Sequence, residues 1–384
     1  MTLPASLKNL TLRHDEMISI ALWKTIKSLG ATSFVLDDDD RFLGVLSLGD
    51  FPVYRADHQA LRAGEICNRR GAALAAGPDL LLRAREIFER SPEILVLPVI
   101  ETDGRPVDAI FKFQAFYSDY FREPERFHSL KPHIPTPGNI FPYMYYAWCL
   151  WQAAAEARRY GYERISALEF GVASGNGLIC CERHALGIGR IFGLEIEVYG
   201  FDVFTGLPPA EDFRDMGYAY PAGAFKTEDY DLLKDRLVGA ELVAGDIRET
   251  ARDFFQTHRP APVGVMLVDV DNYHASRAVL KMLSGDPNHF LPRVQMYFDD
   301  IIFGHECLGE SLAVKDFNAE QADVRISPET TAGYPGHDHS GVMALNGFLQ
   351  RCKVGHLFRH PLYNDDPHAA LSAELSCRRF RTRY

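Results

Sequence analysis

Glu169-Phe-Gly171-Val-Ala-Ser174-Gly175-Asn-Gly177 closes the apolar run from Ile165 to Phe170 and opens a helix-like segment. Glycines at the end of a strand let the main chain approach a ligand that a β-carbon would hold off. The helix that follows offers N–H groups with no partner inside the helix. The stretch therefore predicts the ligand-binding turn of a doubly wound α/β sheet. Its spacing, E-x-G-x-x-x-G-x-G, differs from the G-x-G-x-x-G that cradles a dinucleotide pyrophosphate. An acid two residues before the first glycine suits a ligand with a cation and an amino-acid head group, as in S-adenosylmethionine (SAM).

Outward from this turn, strand-like and helix-like segments alternate. The strands are expected at Ile165 to Phe170, Glu195 to Phe201, Glu241 to Ala244, Val263 to Val268 and Val294 to Phe298. That rhythm indicates a parallel sheet with helices on both faces, whose ligands lie beyond the carboxyl ends of the strands. Acids stand at nearly every such end. Glu169, Gly171, Ser174, Gly175 and Gly177 are expected on the cofactor. Asp202, within Gly200-Phe-Asp-Val-Phe204-Thr-Gly206-Leu-Pro208, is expected on ribose hydroxyls, with Phe204 beside it. Asp246 can accept the exocyclic amine of adenine while Ile247 packs on the ring; an acid at either position also suits a helix cap. After the fourth strand the chain reads Asp269-Val-Asp271-Asn-Tyr273-His274, and after the fifth Asp299-Asp300. Asp271, Asp299 and Asp300 should converge, and like charges that close call for a cation. Oxygen-only ligands point to Mg²⁺ or another hard divalent ion.

The chain has 384 residues, 47% of them hydrophobic, enough for two domains with a core each. A net charge of −11 argues against a nucleic-acid surface. The basic cluster Arg378, Arg379, Arg381 and Arg383 reads as a solvated tail or a subunit contact. Seven scattered cysteines without C-x-x-C spacing suggest neither a zinc site nor a disulfide framework. No signal-peptide pattern and no membrane-length apolar run is visible, so a cytoplasmic protein with no membrane partner is expected.

Residues 15 to 120 contain two passes through one order of elements. The first is a helix over Met17 to Leu29, a strand from Ser33 to Leu36, the acidic turn Asp37 to Asp40, and a strand from Phe42 to Leu48. The second is a helix over Leu80 to Glu89, a strand from Ile94 to Ile100, the turn Asp103-Gly104, and a strand from Val107 to Phe113. Gly44-Val-Leu-Ser47-Leu-Gly-Asp50 and Leu97-Pro-Val-Ile100 then carry a resemblance to paired cystathionine β-synthase (CBS) domains. That resemblance implies a small α+β pair, either regulatory or oligomerising, in which Ser47 and Asp50 would hold an adenosine nucleotide. Ala109, Lys112 and Ala115 stand where the second copy would repeat the glycine, hydroxyl and acid, so at most one such site is expected. A Pro- and His-rich join, 121 to 142, leads to a boundary near 125, giving domains 1–124 and 125–384. In the aromatic segment that follows, Tyr143, Tyr146, Trp148 and Trp151 suit a plain core better than a lid.

The glycine turn, F-D-x-F-x-G-L-P, G-D-I-x-x-T, D-V-D-N-Y and F-D-D, with Ala313-Val-Lys-Asp-Phe317, together resemble the macrocin O-methyltransferase family over residues 160 to 320. The resemblance implies a SAM-dependent, metal-dependent O-methyltransferase with a Rossmann-like sheet, acting on a hydroxyl of a saccharide or other small polyol in polysaccharide or natural-product biosynthesis. Asp271 or His274 would take the hydroxyl proton. Where family members read D-L-Y-E-S-T, this chain reads Asp271-Asn-Tyr273-His274-Ala-Ser276, which alters the acceptor side. Gly333-Tyr-Pro-Gly-His337-Asp-His339 lies past that core and reads either as surface or as an acceptor-side loop. The alternatives are an NAD-dependent oxidoreductase on the same sheet and a nucleotide-responsive binding protein with an inactive transferase domain. A homo-oligomer is expected.

Overall fold

A computed structural model describes residues 4–7, 9–27, 31–51, 61–122, 143–227, 229–300, 308–321, 324–328 and 352–357. They form two compact units, one of residues up to Tyr120 and one of Phe121, Arg122 and the residues from Tyr143 on. The boundary near 125, the loop 333–339 and the C-terminal arginines fall outside the described residues.

The first unit is built twice over. Its first half runs β1 (Thr11–Arg13), α1 (Ile18–Lys27), β2 (Thr32–Leu36), β3 (Phe42–Ser47) and α2 (Ala63–Ile66). The second runs β4 (Leu74–Ala75), α3 (Leu80–Arg90), β5 (Val96–Ile100), β6 (Pro106–Phe111) and α4 (Lys112–Arg122). Each half makes a three-stranded sheet in which the first two strands are parallel and the last two form an antiparallel hairpin. A shift of 64 residues carries β2 onto β5 (32 to 96) and β3 onto β6 (42 to 106). Each half has its own core, Leu12, Ile18, Val35 and Leu46 in one, and Leu74, Phe88, Val99 and Ile110 in the other. The hairpin tips grip each other reciprocally. Arg41 Nε donates to the Asp103 carbonyl at 3.2 Å and Arg105 Nε to the Asp39 carbonyl at 3.1 Å.

That register corrects the alignment expected for the second copy by one residue. The equivalents of Gly44, Ser47 and Asp50 are Asp108, Phe111 and Gln114. Asp50 accepts the Ser47 amide at 2.7 Å, and Gln114 accepts the Phe111 amide at 2.9 Å. The backbone bond is thus repeated, while the hydroxyl and the charge are not.

The second unit is the doubly wound sheet. Helix α5 (Met144–Arg159) precedes β7 (Arg164–Phe170), α6 (Asn176–Phe192), β8 (Glu195–Asp202), α7 (Tyr230–Arg236), β9 (Glu241–Ala244), α8 (Ile247–Thr257), β10 (Val263–Val268), α9 (Tyr273–Lys281) and β11 (Phe290–Phe298). Then come α10 (Gly309–Glu320), β12 (Val324–Pro328) and β13 (Cys352–Leu357). The strand order is β12-β13-β11-β10-β7-β8-β9; β7 to β11 are parallel, and β13 runs antiparallel to both neighbours. The chain is therefore a Rossmann-like α/β domain with a CBS-like pair.

Strand β7 is buried from Ile165 to Phe170, as a central parallel strand covered on both faces must be. Leu168, Phe170, Phe201, Met266, Val268 and Met296 form one core with Phe254 of α8, Leu280 of α9 and Phe317 of α10. On the other face Tyr297 stacks on Tyr145 of α5, with ring centroids 5.5 Å apart. Tyr145, Tyr146 and Trp148 are buried, so this aromatic helix is core. Among the described residues no helix is long and apolar enough to cross a membrane.

Candidate active site

Strand order reverses between β7 and β10, which opens a crevice beyond their carboxyl ends. Backbone hydrogen bonds tie the strand tips into one rim. Gly245 N donates to Asp202 O, Gly171 N to Phe201 O, Asp269 N to Phe170 O and Asp299 N to Val268 O, all at 2.8–2.9 Å. The glycine turn, Asp202, Asp269 and Asp299 therefore lie on neighbouring tips of one sheet edge.

The glycine turn is close against its neighbours. Gly171 has φ +89°, and a Cβ there would sit 1.7 Å from the Asp269 carbonyl oxygen. At Gly175, which precedes α6 with φ +82°, a Cβ would meet Leu233 of α7 at 2.0 Å. A Cβ at Gly177 would lie 2.2 Å from Glu169 Oε1. These glycines are required by packing within the chain. Ser174 is exposed, and its hydroxyl accepts from Asn176 at 3.2 Å.

Glu169 is buried at the end of β7, where its Oε1 accepts the Tyr146 hydroxyl at 2.9 Å and its Oε2 has no hydrogen-bond partner among the described residues. Burial pushes its carboxyl up to about 8, against a lowering by the Tyr146 bond. A buried acceptor left open beside the glycine turn fits a cationic ligand group.

Asp202 serves the turn itself. Its Oδ2 accepts the Val172 and Ala173 amides, each at 2.8 Å, and its Oδ1 accepts the Phe204 amide at 2.6 Å. A carboxylate has about four lone-pair sites, so one is left for a ribose hydroxyl. Phe204 is buried with φ +59° and meets Tyr230 edge-on at 4.8 Å. Asp246 caps α8 by accepting the Arg248 amide at 2.9 Å, and the Arg248 guanidinium, which holds its carboxyl below the usual range, engages both its oxygens. The cap foreseen as one use of this acid is the use seen. Ile247 packs on the core of the α8 face.

The acids past β10 and β11 gather, with one change of membership. Ligand oxygens of Asp269, Asp299 and Asp300 all lie within 4.8 Å of one another. Asp269 thus stands with Asp299 and Asp300 where Asp271 was expected. Asp271 has a left-handed backbone, φ +61°, and is buried against Asp300, to which it is hydrogen-bonded. Burial first, then Asp300 and Asp269, raise its carboxyl well above the usual range. Around this group, Tyr297 donates to Asp299 Oδ1 at 2.5 Å and Tyr220 is hydrogen-bonded to Asp300. Glu310 of α10, fully buried, accepts the Asp300 amide at 3.0 Å through Oε2, while its Oε1 has no partner. Three convergent carboxylates backed by a fourth acid fit a hard divalent cation.

His274 is the second residue of α9. Its ring Nδ1 lies 2.9 Å from Asp215, whose Oδ1 also accepts the His274 amide at 3.0 Å. Asp215, Glu310 and Tyr220 carry no sequence signal, because their contacts cross 10 residues (Glu310 to Asp300) or many more (59 for Asp215 to His274) without any fixed spacing. In the first unit Ser47 and Asp50 bond each other, Ser47 Oγ donating to Asp50 Oδ2 at 2.8 Å.

No protein-family model matches the chain, and no curated protein matches it. Among solved structures it is similar to the calicheamicin methyltransferase CalS11, at 18% identity and a TM-score of 0.40, over 56% of this chain and 80% of that one. It is also similar to the CBS domain of a CBS-domain-containing membrane protein from Sphaerobacter thermophilus, at 16% identity and a TM-score of 0.23, over 30% of this chain and 87% of that one. A third likeness is to CBSX2 in complex with AMP, at 16% identity and a TM-score of 0.24, over 31% and 96%.

Proposed function

We propose that this chain is a metal-dependent O-methyltransferase, moving the methyl group of SAM to a hydroxyl of a saccharide or other small polyol in polysaccharide or natural-product biosynthesis. The observation that carries this is the convergence of Asp269, Asp299 and Asp300 at the switch-point crevice, beside a glycine turn whose buried Glu169 keeps one oxygen open. Like charges at that separation need protons or a cation, and an all-oxygen set favours Mg²⁺. When bound, SAM supplies a methyl group on a cationic sulfur, and Mg²⁺ held by the three aspartates supplies a Lewis acid for neighbouring acceptor oxygens.

The chain's own residues do the rest. Glu169 and the remaining site on Asp202 orient the donor. Asp271 is already hydrogen-bonded to Asp300 of the metal set and so is less free to meet an acceptor hydroxyl. His274, held by Asp215 and Arg214, is the better base. The first unit is read as an oligomerising or adenosine-nucleotide-responsive pair in a homo-oligomer, with Ser47 and Asp50 at its one polar element. Among the described residues Cys67, Cys149, Cys180 and Cys181 are buried thiols, and a cytoplasmic location is part of this reading.

Labelled methyl transfer from SAM to a panel of sugars and polyols tests the proposal. Transfer should vanish with chelator, return with Mg²⁺, and be absent from the variant Asp299→Ala, Asp300→Ala, which still binds SAM. Full transfer by that variant in chelator would remove the metal from the reaction.

A further inference from the structure

Asp215 lies in the short 3₁₀ turn Phe213–Asp215, between β8 and α7, and is buried. Its carboxylate accepts the Glu211 amide at 2.8 Å, the His274 amide at 3.0 Å, and the His274 ring through Nδ1 at 2.9 Å. Burial works to raise this carboxyl, but the two amides and the ring outweigh it and hold the group below the usual range. An ionised carboxylate can only accept, so Nδ1 must carry the proton.

The other ring nitrogen is set independently. His274 Nε2 lies 3.3 Å from Arg214 Nη2, and a guanidinium has only donors, so Nε2 must accept. Arg214 is itself fixed, by both oxygens of Asp212 at 2.7–3.2 Å and by the Tyr273 ring 4.3 Å beneath its guanidinium. Glu211 and Asp212 carboxylates stand 3.7 and 3.9 Å from Nε2. The Tyr273 ring is edge-on at 5.0 Å, and its hydroxyl donates to Asp316 at 2.9 Å. Two neighbours on opposite sides of the imidazole thus demand the same tautomer.

We infer that Asp215 is a positioning residue: it fixes His274 as the neutral Nδ1–H tautomer with the lone pair on Nε2, the form a general base needs. The assignment rests on the methyl-transfer reading for the identity of the proton that His274 receives. In that step the acceptor O–H takes the place of the Arg214 N–H at Nε2 and gives its proton there, and the oxygen pair forms the new C–O bond. The S–CH₃ bond breaks with its electrons passing to sulfur, leaving S-adenosylhomocysteine. Asp215 then neutralises the imidazolium until the proton leaves to water.

Nitrogen-15 NMR of selectively labelled histidine in the full chain tests this, with His274→Gln identifying the signal. Wild type at alkaline pH should show pyrrole-type Nδ1 and pyridine-type Nε2. Asp215→Asn keeps an oxygen for a backbone amide but offers N–H to Nδ1 while Arg214 still offers N–H to Nε2, so the Nδ1–H tautomer should lose its dominance. Its kcat should fall roughly 10²–10⁴-fold with KM for SAM unchanged. A wild-type Nε2–H signal overturns the assignment without any variant having to fold. So does an Asp215→Asn protein that keeps the wild-type tautomer or kcat. Should wild type transfer no methyl group to any acceptor, the transferase reading fails, while the two tautomers still decide what Asp215 does to His274.

Discussion

The Tyr146 hydroxyl donates a hydrogen bond to Glu169 Oε1 across 2.9 Å, and among the described residues the second oxygen of this buried carboxylate has no partner. Burial raises the Glu169 carboxyl from 4.5 to about 8, so the folded state holds a proton that the unfolded chain has released between those values. The contribution to stability is full below the unfolded value and is lost as pH climbs through the folded one. The stability of Glu169→Gln relative to wild type should rise by about 1.4 kcal/mol per pH unit across that window and then level off. Urea melts over the pH range check this. The same variant should bind SAM roughly ten- to a hundredfold more weakly, since Gln cannot ionise against the ligand's cation as Glu169 can.

The acids at the β10 and β11 tips separate by role. Asp269 belongs to the convergent trio, whereas Asp271 touches the trio through Asp300. Asp269→Asn should weaken Mg²⁺ binding more than about a hundredfold, and Asp271→Asn by roughly ten- to a hundredfold, the range for a supporting partner. Titration calorimetry with Mg²⁺ gives the order directly, and the reverse order would return Asp271 to the ligand set.

Two glycines of the turn should differ in cost. At Gly171 a methyl group meets backbone, the Asp269 carbonyl at 1.7 Å, and backbone cannot rotate away. At Gly175 it meets the tip of Leu233, a flexible side chain. Gly171→Ala should lose roughly 2–6 kcal/mol from strain plus overlap, and Gly175→Ala about 1–3 kcal/mol. Denaturant midpoints decide between them.

Much of this was legible along the chain because local pattern and fold agree. The apolar runs Glu241 to Ala244 and Val263 to Val268 are bounded by turns, and β9 and β10 coincide with them. Strand β11 begins at Phe290, four residues before the expected Val294, since Pro292 and Arg293 interrupt an apolar run that tertiary pairing overrides. Asp269 and Asp271 both follow β10, and their spacing along the chain does not say which of them meets Asp299 and Asp300; in the fold Asp269 does, while Asp271 has a positive φ and is hydrogen-bonded to Asp300. The Asp215–His274 pair spans 59 residues, and Glu310 reaches Asp300 from another helix. Contacts of that kind leave no periodic trace.

In the first unit, Arg41 and Arg105 make equivalent bonds to the opposite hairpin tip. Arg41→Ala and Arg105→Ala should therefore cost similar amounts, about 0.5–1.5 kcal/mol each, in thermal melts. Markedly unequal losses would contradict the repeat as a mechanical pair.

The central claim is that the turn from Glu169 to Gly177 holds SAM, and calorimetric binding to the full chain with Mg²⁺ present tests it most directly. SAM and S-adenosylhomocysteine should bind saturably and NAD should not, with ligand at a hundredfold its Kd stabilising the fold by about 2.7 kcal/mol. Saturable binding of NAD with none of SAM would contradict the account.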